Sequence, residues 1–286
     1  MSIQKTYPAQ SGIYDESVTV IEPKSGWQML NLKELIGYRD LLYYLTMKDI
    51  KVLYAQTILG LAWAILQPLI QIVLFTIVFG KIAKVGTDGI PYLLFSTVAI
   101  IPWTYISQAM AKSAESLVNN QQILGKIYLP RLVFPISPIL GKLVDFAISI
   151  LVLLIILIYY RIHPTWNLLL FPLFLLLMML LSTGAGMWLS ALAIRFRDVR
   201  YATEFAIRML MYSAPIVYSA SSVPDKFKFL YSLNPIVAVI EGFRTCLLGT
   251  PVPWTFILPG TATTIILLVT GIFYFKRMER VFVDVI

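Results

Sequence analysis

The sequence has little charge and almost none of the residues that build disulfide or metal sites. Only 13% of its 286 residues are charged, and it contains one Cys and one His. One Cys excludes a disulfide scaffold, and one His excludes a histidine-rich metal centre. Soluble domains have about 45 to 50% apolar residues, whereas this chain has 58% and a mean hydropathy of +0.79. The composition therefore predicts an integral membrane protein.

Long uncharged or nearly uncharged runs set the predicted topology. A helix needs about 20 apolar residues to cross a hydrocarbon core of about 30 Å. Six runs reach that length, namely residues 58–80, 89–110, 132–160, 166–194, 201–220 and 254–275. Backbone groups in lipid must be hydrogen-bonded within the segment, so such runs form helices. We therefore predict an all-α integral membrane fold with a polar N-terminal segment, 1–57, and a six-span membrane domain, 58–286.

Basic residues outside the spans predict the orientation. Fifteen of the 23 Lys and Arg residues fall on the side of the N terminus, six fall on the opposite side and two lie inside spans. The positive-inside rule then places both termini in the cytoplasm. The first 57 residues contain no long apolar stretch, so we expect no signal peptide. The basic residues form no patch, which argues against a nucleic-acid partner despite the net charge of +8.

An amphipathic pattern precedes the first span. Asn31 and Glu34 resemble a capping box, and apolar residues then recur at helical spacing through 32–43. This pattern predicts a helix lying flat on the cytoplasmic membrane surface. A helix packed under the bundle as plain scaffold is the alternative interpretation.

Two further polar segments have helical signals. Residues 111–124 are good helix formers, interrupted afterwards by Gly125 and Pro130, which predicts a short cytoplasmic helix. An ordinary solvated connector is the alternative. In the outer stretch 221–253, Asn234 is a plausible cap, and a helix of about 13 residues should run from Pro235 to a stop at Gly249. We interpret it as a re-entrant helix; a helix resting on the outer interface is the alternative.

Charged residues near or within the spans occur as pairs of opposite sign. Residues one helical turn apart can neutralise each other, and this spacing favours a structural role over a proton relay. The pairs are Lys142 with Asp145, Glu204 with Arg208, and Glu241 with Arg244. The chain has no phosphate-binding loop, no midplane acid typical of proton-coupled carriers and no recognisable catalytic motif. Any uphill transport must therefore be powered by another subunit.

Aromatic and amide side chains form a candidate carbohydrate surface. Aromatic rings stack on sugar faces, and amides hydrogen-bond hydroxyl groups. The candidates are Trp63, Gln67, Gln71, Phe75, Phe79, Trp103, Tyr105, Tyr212 and Tyr218. Plain packing is the alternative for each single ring.

Several short motifs occur in an order that resembles a known family. They are LGLAWAILQPL at 59–69, VFG at 78–80, KIYLPRLVFP at 126–135, RFRDVR at 195–200 and LNP at 233–235. Together with six spans and cytoplasmic ends, they resemble the transmembrane subunit of a polysaccharide-exporting ATP-binding-cassette transporter. This is the type-two export permease class, which moves O-antigen, capsule and teichoic acid chains. The resemblance covers about residues 32–276.

The resemblance implies a homodimeric permease in the bacterial inner membrane that binds two copies of a separate ATPase. ATP and Mg would be held by that ATPase, so we expect no cofactor and no enzymatic activity in this chain. The substrate would be a polysaccharide, lipid-linked in our interpretation, moving between two copies along the first and fifth spans. The implied ATPase-coupling residues are Leu35, Arg39, Glu115, Asn119, Gln122, Lys126 and Arg131. The implied gate residues in the outer re-entrant region are Asn234, Glu241 and Arg244.

Three other functions stay open from the sequence. A related permease could export a drug, a lipid or another small amphiphile. A membrane enzyme would generally need clustered acids for a metal, and the 15 acids here are dispersed. A scaffold protein would have no ATPase partner.

Overall fold

The computed structural model describes residues 37–54, 60, 62–125, 129–196 and 198–279. Across these ranges every regular element is helical, which confirms the predicted all-α class. Residues 1–30 lie outside the described residues, as do two predicted coupling residues, Leu35 and Lys126.

The helices follow one another with short connections. They are α1 (Arg39–Tyr54), α2 (Ala62–Phe75) continued by a π-helix (Thr76–Ile82), α3 (Tyr92–Asn119), α4 (Gln121–Leu124), α5 (Val133–Tyr159), a 3₁₀ turn (Trp166–Leu170) leading into α6 (Phe171–Arg195), α7 (Val199–Tyr212), a 3₁₀ turn (Ala220–Ser222), α8 (Asp225–Ser232), α9 (Pro235–Leu248) and α10 (Trp254–Glu279).

Five helical segments are long and apolar enough to cross a membrane. They are Ala62–Ile82, Tyr92–Asn119, Val133–Tyr159, Trp166–Arg195 and Trp254–Glu279, which match five of the six predicted runs. The remaining run, 201–220, is helical only as far as Tyr212. Its helix α7 has 14 residues, or about 21 Å at 1.5 Å per residue. By length, the described chain therefore has five candidate spans rather than six.

Helix α3 forms the centre of the bundle. It packs against α5, α6 and α9, and 78% of its most apolar stretch is buried. Helices α6 and α10 also approach closely, because Gly184 has no side chain at their contact. A Cβ atom there would lie 2.7 Å from the backbone of Leu268. Small residues of this kind are what allow helices to pack tightly in a membrane.

The bundle has two distinct ends, which we call the α1 end and the α9 end. At the α1 end, one apolar cluster joins the helices, and its members include Leu45, Leu117, Val133, Ile194 and Phe275. At the α9 end, a second cluster contains Ala220, Val237 and Phe256. Arg131 donates a hydrogen bond to the carbonyl of Glu279. The first turns of α1 and the last turn of α10 therefore lie at the same end.

The polar segments differ from their predicted extents. The predicted amphipathic segment, 32–43, is described only from residue 37, and α1 continues to Tyr54. Its Leu45 and Thr46 are buried, whereas Tyr43 and Tyr44 are exposed. Residues 111–124 are mostly helical, as predicted, but they do not form a separate helix. Helix α3 continues to Asn119, and only the four-residue α4 follows. The sequence between Met110 and Asn119 contains no helix breaker, so the helix has no reason to end.

The chain from 198 to 250 takes an unusual route. Helix α7 starts just after α6 ends at the α1 end, whereas Ser219 and Ser221 donate hydrogen bonds to Asp88 at the α9 end. Residues 198–219 thus pass from one end of the bundle to the other. Asn167 then donates to the carbonyl of Thr250, also at the α9 end. The stretch between Ser219 and Thr250 therefore starts and finishes at one end.

Candidate functional site

Helix α9 has the boundaries that its sequence predicted. The side chain of Asn234 accepts a hydrogen bond from the Ile236 N–H at 3.0 Å, and Pro235 occupies the first turn. Gly249 adopts φ 71°, the left-handed conformation that ends a helix at low cost for glycine. These capping predictions are confirmed because capping depends on neighbours within a few residues.

The predicted pair of Glu241 and Arg244 is confirmed, and it is enclosed. Arg244 donates to Glu241 at 2.7 Å, its side chain is 3% exposed, and its guanidinium carbon lies 3.6 Å from the centre of the Phe95 ring. A second nitrogen of the same guanidinium donates to the carbonyl of Pro215 at 2.5 Å. A buried charge is tolerated only when it is paired and hydrogen-bonded in this way.

Helix α9 is surrounded by protein on nearly all sides. Eleven of its 14 residues are buried. The ring of Phe243 lies 5.8 Å from that of Phe146, which is halfway along α5. A helix resting on a membrane surface would keep one polar face exposed. The observed burial is therefore the pattern of a helix inserted into the bundle.

Three partners of this region were not found from the sequence. Tyr92 donates to the carbonyl of Val217 at 3.0 Å, and Asn234 donates to the carbonyl of Ser213 at 3.1 Å. Asp88 accepts from Ser219. Because most of these contacts join residues more than a hundred positions apart, no local sequence signal could have revealed them.

The predicted carbohydrate surface divides into exposed and buried residues. Among the exposed ones, Trp63 is 45% exposed. The amide of Gln67 accepts a hydrogen bond from Gln108 at 3.2 Å. Gln71 lies 3.8 Å from the sulfur of Met211. Gln67 and Gln71 of the first span thus contact Gln108 of α3 and Met211 of α7. We call this line of contacts the seam.

Other predicted sugar contacts pack inside the bundle. Phe75, Trp103 and Tyr105 are all buried. The hydroxyl of Tyr105 donates to the carbonyl of Ile139 at 3.0 Å. Phe79 packs edge-on against Phe75, with 5.3 Å between the ring centres. In this structure these four rings contribute to packing within the protomer.

The last two aromatics of the set are Tyr212, the final residue of α7, and Tyr218, six residues further on. Tyr212 is 59% exposed. Tyr218 is half-buried, and its hydroxyl donates to the carbonyl of Tyr212 at 3.3 Å. The Tyr212 ring is therefore exposed, whereas Tyr218 stabilises the end of α7.

The described coupling candidates all lie at the α1 end. Arg39 is exposed and lies 3.6 Å from Asp40. Glu115 pairs with Lys112 at 3.3 Å near the end of α3. Exposed ion pairs of this kind contribute little to stability, so these side chains are available to a partner at low cost.

The remaining coupling candidates differ from one another in exposure. Asn119 and Gln122 are exposed at the junction of α3 and α4. Arg131 is half-buried and donates to the carbonyl of Glu279, which joins the start of α5 to the end of α10. Arg131 therefore holds the bundle together besides lying near the exposed candidates.

A polar contact that was not predicted fastens α1 to α5. Ser137 donates to Asp49 at 3.0 Å, and Lys48 donates to Asn120 at 3.2 Å. Burial raises the pKa of the Asp49 carboxyl above its usual range, an effect opposed by the Ser137 hydrogen bond and by the charges of Lys48 and Lys112. Helix α1 is thus hydrogen-bonded to the bundle as well as packed on it.

The two charge pairs predicted within spans have different surroundings. Lys142 and Asp145 are 2.8 Å apart, and their side chains are 13% and 17% exposed. Glu204 and Arg208 are 4.0 Å apart and largely exposed on α7. Both pairs lie as the spacing predicted, but only the first is enclosed by protein.

Comparisons with known proteins give a consistent result. The family described as ABC-2 type transporter matches residues 40–248, from α1 to the end of α9. The chain is 27% identical over 262 residues to the O-antigen export system permease protein RfbA of Klebsiella pneumoniae, covering 90% of this chain and 99% of that protein. It is 25% identical over 202 residues to the polysialic acid transport protein KpsM of Escherichia coli, covering 69% and 77%. It is 28% identical over 196 residues to the inner membrane transport permease YadH of Escherichia coli strain K12, covering 65% and 75%.

Proposed function

Because this chain belongs to the ABC-2 type transporter family, we propose that it is the permease subunit of an ATP-driven exporter that moves a polysaccharide across the bacterial inner membrane. The observation that carries this proposal is the similarity to an O-antigen export permease along 99% of that protein's length. The polymer in this proposal is lipid-linked, like an O-antigen, capsule or teichoic acid chain.

A sixth crossing by residues 198–219 is part of the proposal. Five crossings alone would leave the first turns of α1 and the end of α10 at opposite ends, whereas both lie at the α1 end. The sixth crossing combines the 14-residue α7 with the seven residues that follow it. Non-helical backbone at membrane depth is tolerated where it is buried in protein. With this crossing, both termini are cytoplasmic and the segment between Ser219 and Thr250 is re-entrant from the outside.

The exposed side of the first span supports a dimer with a conduit between its copies. An apolar groove on α2 and the π-helix is lined by Leu69, Ile70, Val73, Leu74, Ile77 and Val78. Tyr201 and Phe205 of α7 are also largely exposed. We assign the sugar-contacting role to Gln67 and Gln71 at the seam and to the exposed rings of Trp63 and Tyr212. Weak contacts at many points suit a polymer that has to keep moving.

The α1 end is the proposed docking surface for two ATPase copies, which hold ATP and Mg. Exposed Arg39, Asn119 and Gln122 together with Glu115 form this surface, beside Arg131. Helix α1 is fastened to α5 through Asp49 and Ser137. A force applied to α1 by the ATPase would therefore reach α5 directly, as rigid-body switching requires.

Co-purification with the ATPase and reconstitution in proteoliposomes test the proposal. We expect a complex with two ATPase copies, and ATP hydrolysis that a bacterial surface polysaccharide stimulates. Arg39→Glu should abolish the stimulation, whereas Lys228→Glu on α8 at the opposite end serves as the charge-matched control. A permease that purifies as an isolated monomer, or equal stimulation in both variants, would contradict the proposal.

Export of a small amphiphile is the second candidate function. The chain is similar to YadH, described as an inner membrane transport permease, as well as to the two polysaccharide permeases. The two candidates differ in which molecule stimulates the ATPase. Gln67→Leu should reduce stimulation by polysaccharide, because it removes the amide that reaches the seam. Stimulation by an amphiphilic dye alone would favour the second candidate.

A further inference from the structure

Residues 213–217, which we call the link, join α7 to the outer re-entrant segment without forming a helix. Ala214, Pro215, Ile216 and Val217 are all buried. Buried backbone groups in a membrane protein need hydrogen-bond partners, and outside a helix these must come from elsewhere in the protein. The link therefore depends on its surroundings for its conformation.

Three side chains supply donors to alternate carbonyls of the link. Asn234 donates to Ser213 at 3.1 Å, Arg244 to Pro215 at 2.5 Å, and Tyr92 to Val217 at 3.0 Å. The carbonyl between the first two, that of Ala214, accepts from the N–H of Ile216 at 2.8 Å within the link itself. The bond from Ile216 to Ala214 closes a tight turn, and side chains of α3, of α9 and of its cap Asn234 donate to the link carbonyls before and after that bond.

Each donor is itself oriented by a second contact. The Asn234 side-chain oxygen accepts from the Ile236 N–H, which directs its NH₂ group toward Ser213. Arg244 is held by Glu241 and lies over the ring of Phe95. These contacts outside the link hold the donor groups in place. The donors therefore determine where the backbone of the link lies.

Tyr92 is held by two neighbours. Its ring lies against Gly80 at the end of the first span, where a Cβ atom would be 2.8 Å from the ring. The centre of the Phe95 ring lies 6.2 Å from that of Tyr92. Just beyond the link, Ser219 and Ser221 donate to Asp88. The Tyr92 hydroxyl therefore binds the link where it leaves the bundle.

We propose that Tyr92, Asn234 and Arg244 are positioning residues of the exit, which hold the link in place and keep the path closed at the α9 end. This inference rests on the proposed export function and adds Tyr92 to the gate. The residues act through the link and contact no substrate. Weakening their hydrogen bonds frees the link and opens the exit without ATP.

Tyr92→Phe and Asn234→Asp are the variants that test it. Tyr92→Phe removes only the hydroxyl. Asn234→Asp keeps an oxygen that caps α9 but has no NH₂ group to donate to Ser213. Ser113→Ala is the matched control, since Ser113 also lies on α3 and its buried hydroxyl donates to the carbonyl of Pro135 at 2.9 Å at the other end.

The complex with its ATPase is reconstituted without nucleotide, and passive efflux of a small trapped ion is measured together with amide hydrogen exchange of the link. Both test variants should exchange about fivefold faster at the link, the factor that corresponds to one net hydrogen bond. Both should also leak ions several times faster, whereas Ser113→Ala should match the wild type in both measurements.

The outcomes separate this inference from the proposed function. Equal changes in Ser113→Ala and the test variants would overturn the positioning role, because the effect would then be general destabilisation. Wild-type leak and exchange in the test variants would also overturn it, even if polysaccharide export were intact. If the test variants show faster ion leak and faster hydrogen exchange, but no polysaccharide stimulates ATP hydrolysis by the complex, the positioning role stands. The proposal that the substrate is a polysaccharide is then refuted.

Discussion

The first span and α3 are neighbours of opposite character. By sequence the first span, Ala62–Ile82, is the more apolar, yet only 22% of its most apolar stretch is buried, compared with 78% for α3. Lipid tails are as apolar as leucine, so hydropathy does not drive a helix toward the protein centre. The buried helix has more polar side chains, and two of them, Tyr92 and Ser113, donate to carbonyls of other elements.

The same contrast separates α9 from α7. Each contains a Glu and an Arg about one turn apart, but the pair on α9 is buried and the pair on α7 is exposed. Enclosed helices hold their polar groups in fixed contacts, whereas exposed helices leave theirs available. Substitutions should therefore be costly at the buried positions of α3, α6 and α9, and they should be tolerated on the open side of α2 and α7.

Arg244→Ala should have the largest effect on stability. It leaves the Glu241 carboxylate, whose side chain is only 14% exposed, without its cation and the carbonyl of Pro215 without its donor. Breaking a buried pair typically costs about 3 to 5 kcal/mol. The matched variant Arg208→Ala should cost about 0 to 1 kcal/mol, because its pair is exposed. Chemical unfolding in detergent measures both, and similar losses would contradict the contrast.

Gly184→Ala should have an intermediate effect. The added methyl group meets the backbone of Leu268 in α10, which cannot move aside as a flexible side chain would. Overpacking of this kind costs about 1 to 3 kcal/mol. Gly141→Ala is the control within another long helix, since its Cβ atom would make only an ordinary contact with Ile50, 3.8 Å away. That variant should be neutral or gain up to about 1 kcal/mol from helix propensity, as the same unfolding measurement would reveal.

Val73→Cys should have the smallest effect on stability and the clearest effect on association. Val73 is 53% exposed in the groove of the first span, so the substitution removes little packing within the protomer. In a background where the buried Cys246 is replaced by Ala, oxidation in membranes should yield a cross-linked dimer. Ile100→Cys on the buried side of α3 should yield none. Equal cross-linking of the two variants on a denaturing gel would contradict a dimer formed through the first span.

Much of the fold follows from local patterns in the sequence. Five long helices match uncharged or nearly uncharged runs, because a lipid-crossing helix must be long and predominantly apolar. The caps of α9 at Asn234 and Gly249 also match, because they involve backbone groups only two or three residues away. The pairing of Glu241 with Arg244 follows from helical spacing alone.

Contacts between segments far apart in the chain could not be predicted from the sequence. A ring facing lipid and a ring facing another helix sit in equally apolar surroundings, so nothing local distinguishes buried Trp103 from exposed Trp63. Helix α8 was not predicted, because Lys and Phe alternate through residues 226–229, a period of two that is typical of a strand rather than a helix. The early end of α7 was also missed, although Pro215, three residues after Tyr212, is a local signal for the end of a helix.

The packing of Gly80 on Tyr92 has a mechanical consequence. No side chain at position 80 separates the π-helix from the aromatic ring, whose hydroxyl holds the carbonyl of Val217. A tilt of the first span would therefore displace the ring directly, with no flexible atoms in between to absorb the motion. In the proposed dimer, movement of the first span against its copy would therefore reach the link through the side chain of Tyr92 alone.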